Sequence, residues 1–249
     1  MNKLITITTD FGDQLAAAQL KAVLLDQGFD GQIIENHSIN AFSITEGAFS
    51  LALIARFSPK GTIHVAVVDP GVGTNRRGII IKTARSWFVG PDNGLLFQAA
   101  NNEIIQQVWK LQESHISKEI SNTFHGRDVF VKAAAYLSQN KQPEDFGSTN
   151  ISVKSLVKLN LKNGQVLHID SFGNIKLYCS QEINSHKTLL IKTKKNIFKV
   201  PFVKTFSDIP KGKPLAFLGS SQTLELAVNL KRADTFFGVK QGDILKIML

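Results

Sequence analysis

The chain has 249 residues and a mass of 27.4 kDa, with 43% apolar and 20% charged residues, a composition that excludes wholesale disorder. No run approaches the ~18 apolar residues of a membrane helix, and the single cysteine, Cys179, excludes an internal disulfide framework and a cysteine-cluster zinc site. The net charge of +9 is unevenly spread: residues 1–150 carry 13 basic against 14 acidic side chains, and residues 151–249 carry 16 against 6.

Residues 1–9 alternate like a strand and reach Asp10 too soon for a secretory leader, so a cytoplasmic protein is expected. Strands are predicted over residues 5–9, 31–34, 62–68, 78–82 and 86–89, and helices over 16–25, 45–57 and 129–139. This alternation predicts an α/β domain with a mostly parallel sheet between helices. A turn-rich stretch at 142–150 ends it, which sets the expected domains at 1–150 and 151–249.

Beyond that break, short strands are expected over 165–170, 175–179, 188–192, 196–200, 214–218 and 243–248, with one helical turn over 224–229. Short strands at close spacing predict a small all-β barrel or sandwich. Fifteen of its 16 bases are lysines, and lysines scattered between strand positions read first as a solvated outer face.

Four polar clusters break the apolar rhythm: Thr9-Asp10-Phe11-Gly12, residues 69–77, residues 90–94 and Thr123-Phe124-His125-Gly126-Arg127-Asp128. Three of them follow directly on strands, and loops at strand C-termini of an open α/β sheet converge on a shared ligand crevice. The bland alternative makes Asp10 and Asp128 helix caps and the Pro-Gly and Asn-Gly pairs simple turns. For residues 90–94 the turn is the better reading. Asp10-Phe11-Gly12 is no kinase triplet, because only nine residues precede it. Gly71-Val72-Gly73 is too short for a dinucleotide fingerprint, and the six histidines lack metal-ligand spacing. His37, His64, His115, His168 and His186 read as structural or surface residues, and Trp87 and Trp109 as core.

Taken together, the clusters resemble the S-adenosylmethionine hydroxide adenosyltransferases, relatives of the fluorinases and chlorinases. The similarity rests on residues 8–12, 64–73 with Arg76, 88–96 and 123–130, then 169–174 and 219–229. The resemblance implies an α/β domain followed by a β-barrel, and conversion of S-adenosylmethionine and water into adenosine and methionine without a cofactor or metal. It implies a homotrimer whose sites lie between the first domain of one subunit and the second domain of the next. It places a catalytic triad on Asp69, Arg76 and His125. Asp10 falls on the ribose, Phe42 on the nucleoside wall, Asp170 on the methionine ammonium and Asn174 on the adenine. Ser220 falls near the methionine end, and Phe124 and Phe172 join the substrate-binding set. The triad Asp, absent from fluorinase-like relatives, favours water over halide. Two departures lie near the nucleoside pocket: Asp13-Gln14-Leu15-Ala16-Ala17 is shorter than the family pattern, and Ser43 replaces an Asp.

The chemistry asks for displacement at C5′, where a sulfonium already provides a good leaving group. Water is the difficulty, because it gives up a proton only far above physiological pH, so a carboxylate and an imidazole must orient it and accept its proton. Asp69 reads as base or water-orienter, His125 as a group sharing the proton, and Arg76 as the residue fixing Asp69. Which member ends with the proton stays open, as does a plain salt bridge bracing the Pro-Gly turn. A rival reading makes the chain a binding protein whose basic barrel grips RNA or an acidic partner. Phe198, Phe202 and Phe206 interleave there with Lys195, Lys199 and Lys204.

Overall fold

The computed structural model describes residues 3–12, 15–183 and 188–248, which divide into compact units at Leu159/Asn160. His186, Asp13 and Gln14 lie outside the described residues.

The first unit runs β1 (Leu4–Thr9), α1 (Leu15–Asp26), β2 (Gln32–Asn36), α2 (Ile44–Phe57), β3 (Ile63–Val67), β4 (Gly78–Thr83) and β5 (Trp87–Pro91). It continues with α3 (Phe97–Asn102), β6 (Ile105–Lys110), α4 (Glu113–Ile116), a π-helical turn over Gly126–Phe130, α5 (Val131–Ser138) and β7 (Thr149–Asn150). Its seven strands form one sheet in the order β2-β1-β3-β5-β4-β6-β7. The sheet is mixed: β2, β1, β3 and β5 are parallel neighbours, whereas β4, β6 and β7 join antiparallel. The expectation of a mostly parallel sheet therefore holds for half of it. The cause is the connection from β4 to β5, only three residues long, which leaves no room for a crossover helix.

Alternation along the strands builds two apolar layers. Ile5, Ile7, Val65, Val67 and Val89 face α1 and α5, whereas Ala66, Val68, Ile79, Ile81 and Phe88 face α2 and α3. At fully buried positions such as Leu20, Leu51 and Phe130, truncation to alanine costs about 2–5 kcal/mol. Trp109 stacks on Trp87 and donates from Nε1 to Glu144 at 2.7 Å, which makes both indoles structural.

His64 is the polar exception inside this core. Its Nδ1 meets Thr6 Oγ1 at 2.7 Å, its ring stacks on Phe88, and Nε2 has no partner among the described residues. Burial pushes its pKa down from 6.5 to about 3. The folded state thus keeps His64 neutral while the unfolded chain protonates below pH 6.5, so stability falls as pH drops from 6.5 toward 3. At pH 5 this one group is expected to cost about 2 kcal/mol. Denaturation at pH 7 and pH 5 checks it: His64→Asn should lose less stability than the native chain over that interval, and equal losses would contradict it.

The second unit is strand-rich. It comprises β8 (Val166–Ile169), β9 (Ile175–Leu177), β10 (Thr188–Lys192), β11 (Ile197–Pro201), β12 (Pro214–Leu218), β13 (Leu224–Val228), the short helix α6 (Ala233–Phe237) and β14 (Lys246–Met248). These strands make two antiparallel sheets, β11-β10-β14 and β12-β13-β9-β8. Isolated bridges Gln165↔Ile244 and Phe202↔Ala216 link the two.

The helical turn expected over 224–229 is instead β13, an inner strand paired with both β12 and β9. All five of its residues are buried, so no alternation shows in the sequence, and pairing overrides the helix propensity of Leu, Glu and Ala. The helix lies a few residues later, as α6.

Candidate active site

Asp69 follows the C-terminal end of β3, one residue past Val68, where the parallel strands present their loops. The next eight residues turn back on themselves: Val72 N–H donates to Asp69 O and Thr74 N–H to Gly71 O. Gly73 sits at φ +76°, and a Cβ there would stand 2.4 Å from Asn122 O. Only glycine lets this loop lie against the segment that carries His125. On the other side Gly126 packs on Val67 and Leu20, which stand 3.4 and 3.6 Å from the position a Cβ would take, ordinary contact distances. This contact sets the π-helical turn against Val67 at the end of β3. Such turns recur at functional sites, and His125 immediately precedes this one.

The three residues meet around the Arg76 guanidinium. Nε donates to Asp69 Oδ2 at 2.9 Å, and Nη2 reaches the same oxygen at 2.7 Å. Nη2 also donates to His125 Nδ1 at 2.9 Å. Because guanidinium only donates, Nδ1 accepts, and the neutral ring carries its proton on Nε2. The Phe130 ring lies 5.3 Å from the guanidinium carbon and backs it with an apolar face. Side chains of Asp69, Arg76 and His125 are all under one-tenth exposed. Asp69 Oδ1 is buried and has no partner among the described residues.

Glu113 is a fourth member that sequence reading missed. At the start of α4, its Oε1 takes Arg76 Nη1 at 3.3 Å and lies 3.5 Å from His125 Nδ1. Nothing in the polar run Gln112-Glu113-Ser114-His115 distinguishes it from a surface helix start.

Asp10 stands one residue beyond β1, and its Oδ2 accepts the Phe42 N–H at 2.8 Å. Phe42 takes φ +66°, a conformation uncommon outside glycine, and its side chain is 74% exposed. Strain of this kind concentrates at functional sites. Gly12 N–H donates to His37 O, and His37 Nδ1 meets Thr9 Oγ1, so His37 is structural here. Phe124 packs edge-on against Phe11 at 5.6 Å and carries Arg127 over its ring at 4.8 Å. Asp128 does not cap a helix. It accepts Arg127 Nε and Ser121 N–H from within the π-helical turn, which pins the loop ahead of His125.

In the 90–94 loop, Asp92 binds Arg77, and Asn93 Nδ2 donates to Val68 O at 2.8 Å. These are turn and brace contacts, as expected.

In the second unit, Asp170, Phe172 and Asn174 share one turn. Asp170 Oδ1 accepts the N–H groups of Phe172 and Asn174, at 3.0 and 2.9 Å, and Oδ2 accepts Asn174 Nδ2 at 3.1 Å. Phe172 is 77% exposed. Ser220 is exposed on the β12–β13 turn. The two turns are tied through residues the sequence reading did not single out: Lys176 Nζ binds Glu225 Oε2 at 2.9 Å and lies 3.6 Å from Asp170 Oδ2, while Ser221 Oγ donates to Glu225 Oε1. Among the described residues no group of three or more metal-ligating side chains converges, and no helix is long and apolar enough to cross a membrane.

Residues 5–147 match the SAM hydroxide adenosyltransferase N-terminal domain, and residues 164–246 match the C-terminal domain of the same family. An (R)-S-adenosyl-L-methionine hydrolase from Thermus thermophilus is 32% identical, with 96% of this chain and 97% of that protein covered. One from Methanocaldococcus jannaschii is 31% identical over 98% and 95%. A fluorinase from Actinoplanes sp. is more distant, at 24% identity over 97% and 96%. The crystal structure of an uncharacterized conserved protein from Thermotoga maritima superposes with a TM-score of 0.87 at 29% identity, covering 98% of this chain and all of that one. Both family domains thus span the units that hold the Asp69 cluster and the Asp170 turn, and the chain belongs to the SAM hydroxide adenosyltransferase family.

Proposed function

We propose that the chain hydrolyses S-adenosyl-L-methionine to adenosine and L-methionine, with water attacking ribose C5′ in line with the departing sulfur. Full-length relatives named for this activity support the reaction, and the observation that carries the mechanism is Asp69. One of its oxygens is saturated by Arg76, and the other is buried and unpaired. That free Oδ1 is the acceptor a water needs to be held and deprotonated. The water oxygen bonds to C5′, the C5′–S bond breaks with its pair on sulfur, and the proton passes to Asp69 and on to solvent. His125, its Nδ1 occupied, serves as an Nε2–H donor to the water oxygen. In this reading Asp69 is the base, and the unpaired Oδ1 is what supports it over His125.

Asp10, Phe42 and Phe124 are proposed to hold the nucleoside, and Asp170, Phe172, Asn174 and Ser220 the adenine and methionine ends. We further propose a homotrimer with sites shared between subunits, a closed barrel in the second unit, a cytoplasmic location, and a reaction in which S-adenosylmethionine is substrate and no cofactor or metal takes part. The two bridges between its sheets support closure. The RNA-binding alternative loses its aromatic row. Phe198 packs on Phe236 and Phe237, Phe202 joins the core, and Phe206 stands edge-on to Phe217.

Turnover in oxygen-18 water tests the reaction. The label is expected in the 5′-hydroxyl of adenosine and none in methionine; labelled methionine would sink direct attack at C5′.

A further inference from the structure

Arg76 grips Asp69 in an unusual way. Arginine and carboxylate commonly pair as a fork, each nitrogen taking its own oxygen. Here Nε and Nη2 both converge on Oδ2, and Oδ1 is left out. A buried carboxylate oxygen beside a guanidinium gains by accepting from it, so something must hold the guanidinium off.

The holding contacts lie at its far end. The end-on pair of N–H groups has two acceptors: His125 Nδ1 takes Nη2, and Glu113 Oε1 takes Nη1. Phe130 fixes the plane from one face. Glu113 is the charged member of that pair and the more exposed, at 26% against 9% for His125. Its pull on Nη1 opposes rotation of the guanidinium toward Oδ1. Its anionic charge also offsets Arg76, so that Asp69 does not face an unbalanced cation. Neighbouring charges are otherwise engaged: Arg127 pairs with Asp128, Arg77 with Asp92, and Lys132 donates to Ser117.

We propose that Glu113 is a positioning residue for the hydrolysis: by anchoring the far end of Arg76 it keeps Asp69 Oδ1 free for water. The inference rests on the reading of Asp69 as the base. It concerns alignment of the water and not grip on the nucleoside, so it acts on kcat.

The test uses the full chain, with S-adenosylmethionine turnover measured for Glu113→Ala and Glu113→Gln and thermal midpoints taken alongside. Lost alignment at a reacting centre is expected to lower kcat of Glu113→Ala by about 10-fold or more, with KM within about 2-fold. Gln keeps an acceptor oxygen without the charge and should recover part of the loss. A merely structural role would instead move KM and the melting midpoint together. Combined with Asp69→Asn, where no base remains to be kept free, Glu113→Ala should add less than about 2-fold. Full kcat in either folded variant, or losses that multiply in the double variant, would overturn the proposal. If the alanine variant does not fold, the Gln variant decides. An inactive native chain, or Asp69→Asn with full activity, would instead bring down the underlying reading.

Discussion

Asp69→Asn is expected to lose about 10²-fold or more in kcat, with KM changed far less. The substitution preserves volume and an acceptor oxygen for Arg76, and it removes the charge proposed to orient and deprotonate water. Breaking a buried ion pair normally exposes the surviving partner to a large desolvation penalty. Here Arg76 retains Glu113 at 3.3 Å as a counter-charge, so the variant is expected to fold. Its loss therefore reports on chemistry, which circular dichroism and a melting curve verify. The KM is set by the nucleoside and methionine contacts, none of which the substitution touches in the proposed assignment. Undiminished kcat in Asp69→Asn would make the Asp69–Arg76–His125 cluster a brace for the Pro70-Gly71 turn and end the proposed mechanism.

Legibility in the sequence followed physical rules that differ between parts of this chain. The strands at Leu4–Thr9 and Ile63–Val67 were readable because β-branched runs end in polar loops, and those loops carry Asp10 and Asp69. Gathering Asp69, Arg76 and His125 needed the family motif as well, because His125 is far along the chain and its segment lies against the Asp69 loop at Gly73, where a Cβ would clash with Asn122. Glu113 was invisible: its partner is a side chain 37 positions away, and its own neighbours look like any exposed helix start. The strand Leu224–Val228 was misread because a central strand buried on both faces loses its period of two. Glu225 sits there in a core position only because Lys176 and Ser221 satisfy its carboxylate. The mixed sheet was missed for a related reason. Strand order depends on the short link from β4 to β5, and periodicity says nothing of which neighbour a strand chooses.

Two inactive proteins are expected to regain activity when mixed, if the proposed trimer with shared sites is correct. Asp69→Ala removes the proposed base from the first unit and leaves the Asp170 turn intact. Asp170→Ala does the reverse, removing the carboxylate that organises the N–H groups of Phe172 and Asn174. Each homotrimer then carries a defect in every site. In a cyclic trimer with head-to-tail contacts, each site joins one unit from each of two neighbours. After dissociation and random reassembly of equal amounts, about one quarter of the sites receive an intact first unit and an intact second unit, and turnover should approach that share of the native rate. The expectation distinguishes arrangements sharply, because sites built within one chain carry a defect in every copy whatever the mixture. Subunit exchange is followed independently, with a charge-tagged chain resolved by native electrophoresis. Proven exchange with no recovered turnover would place all of the substrate-holding residues in a single chain and remove the shared site.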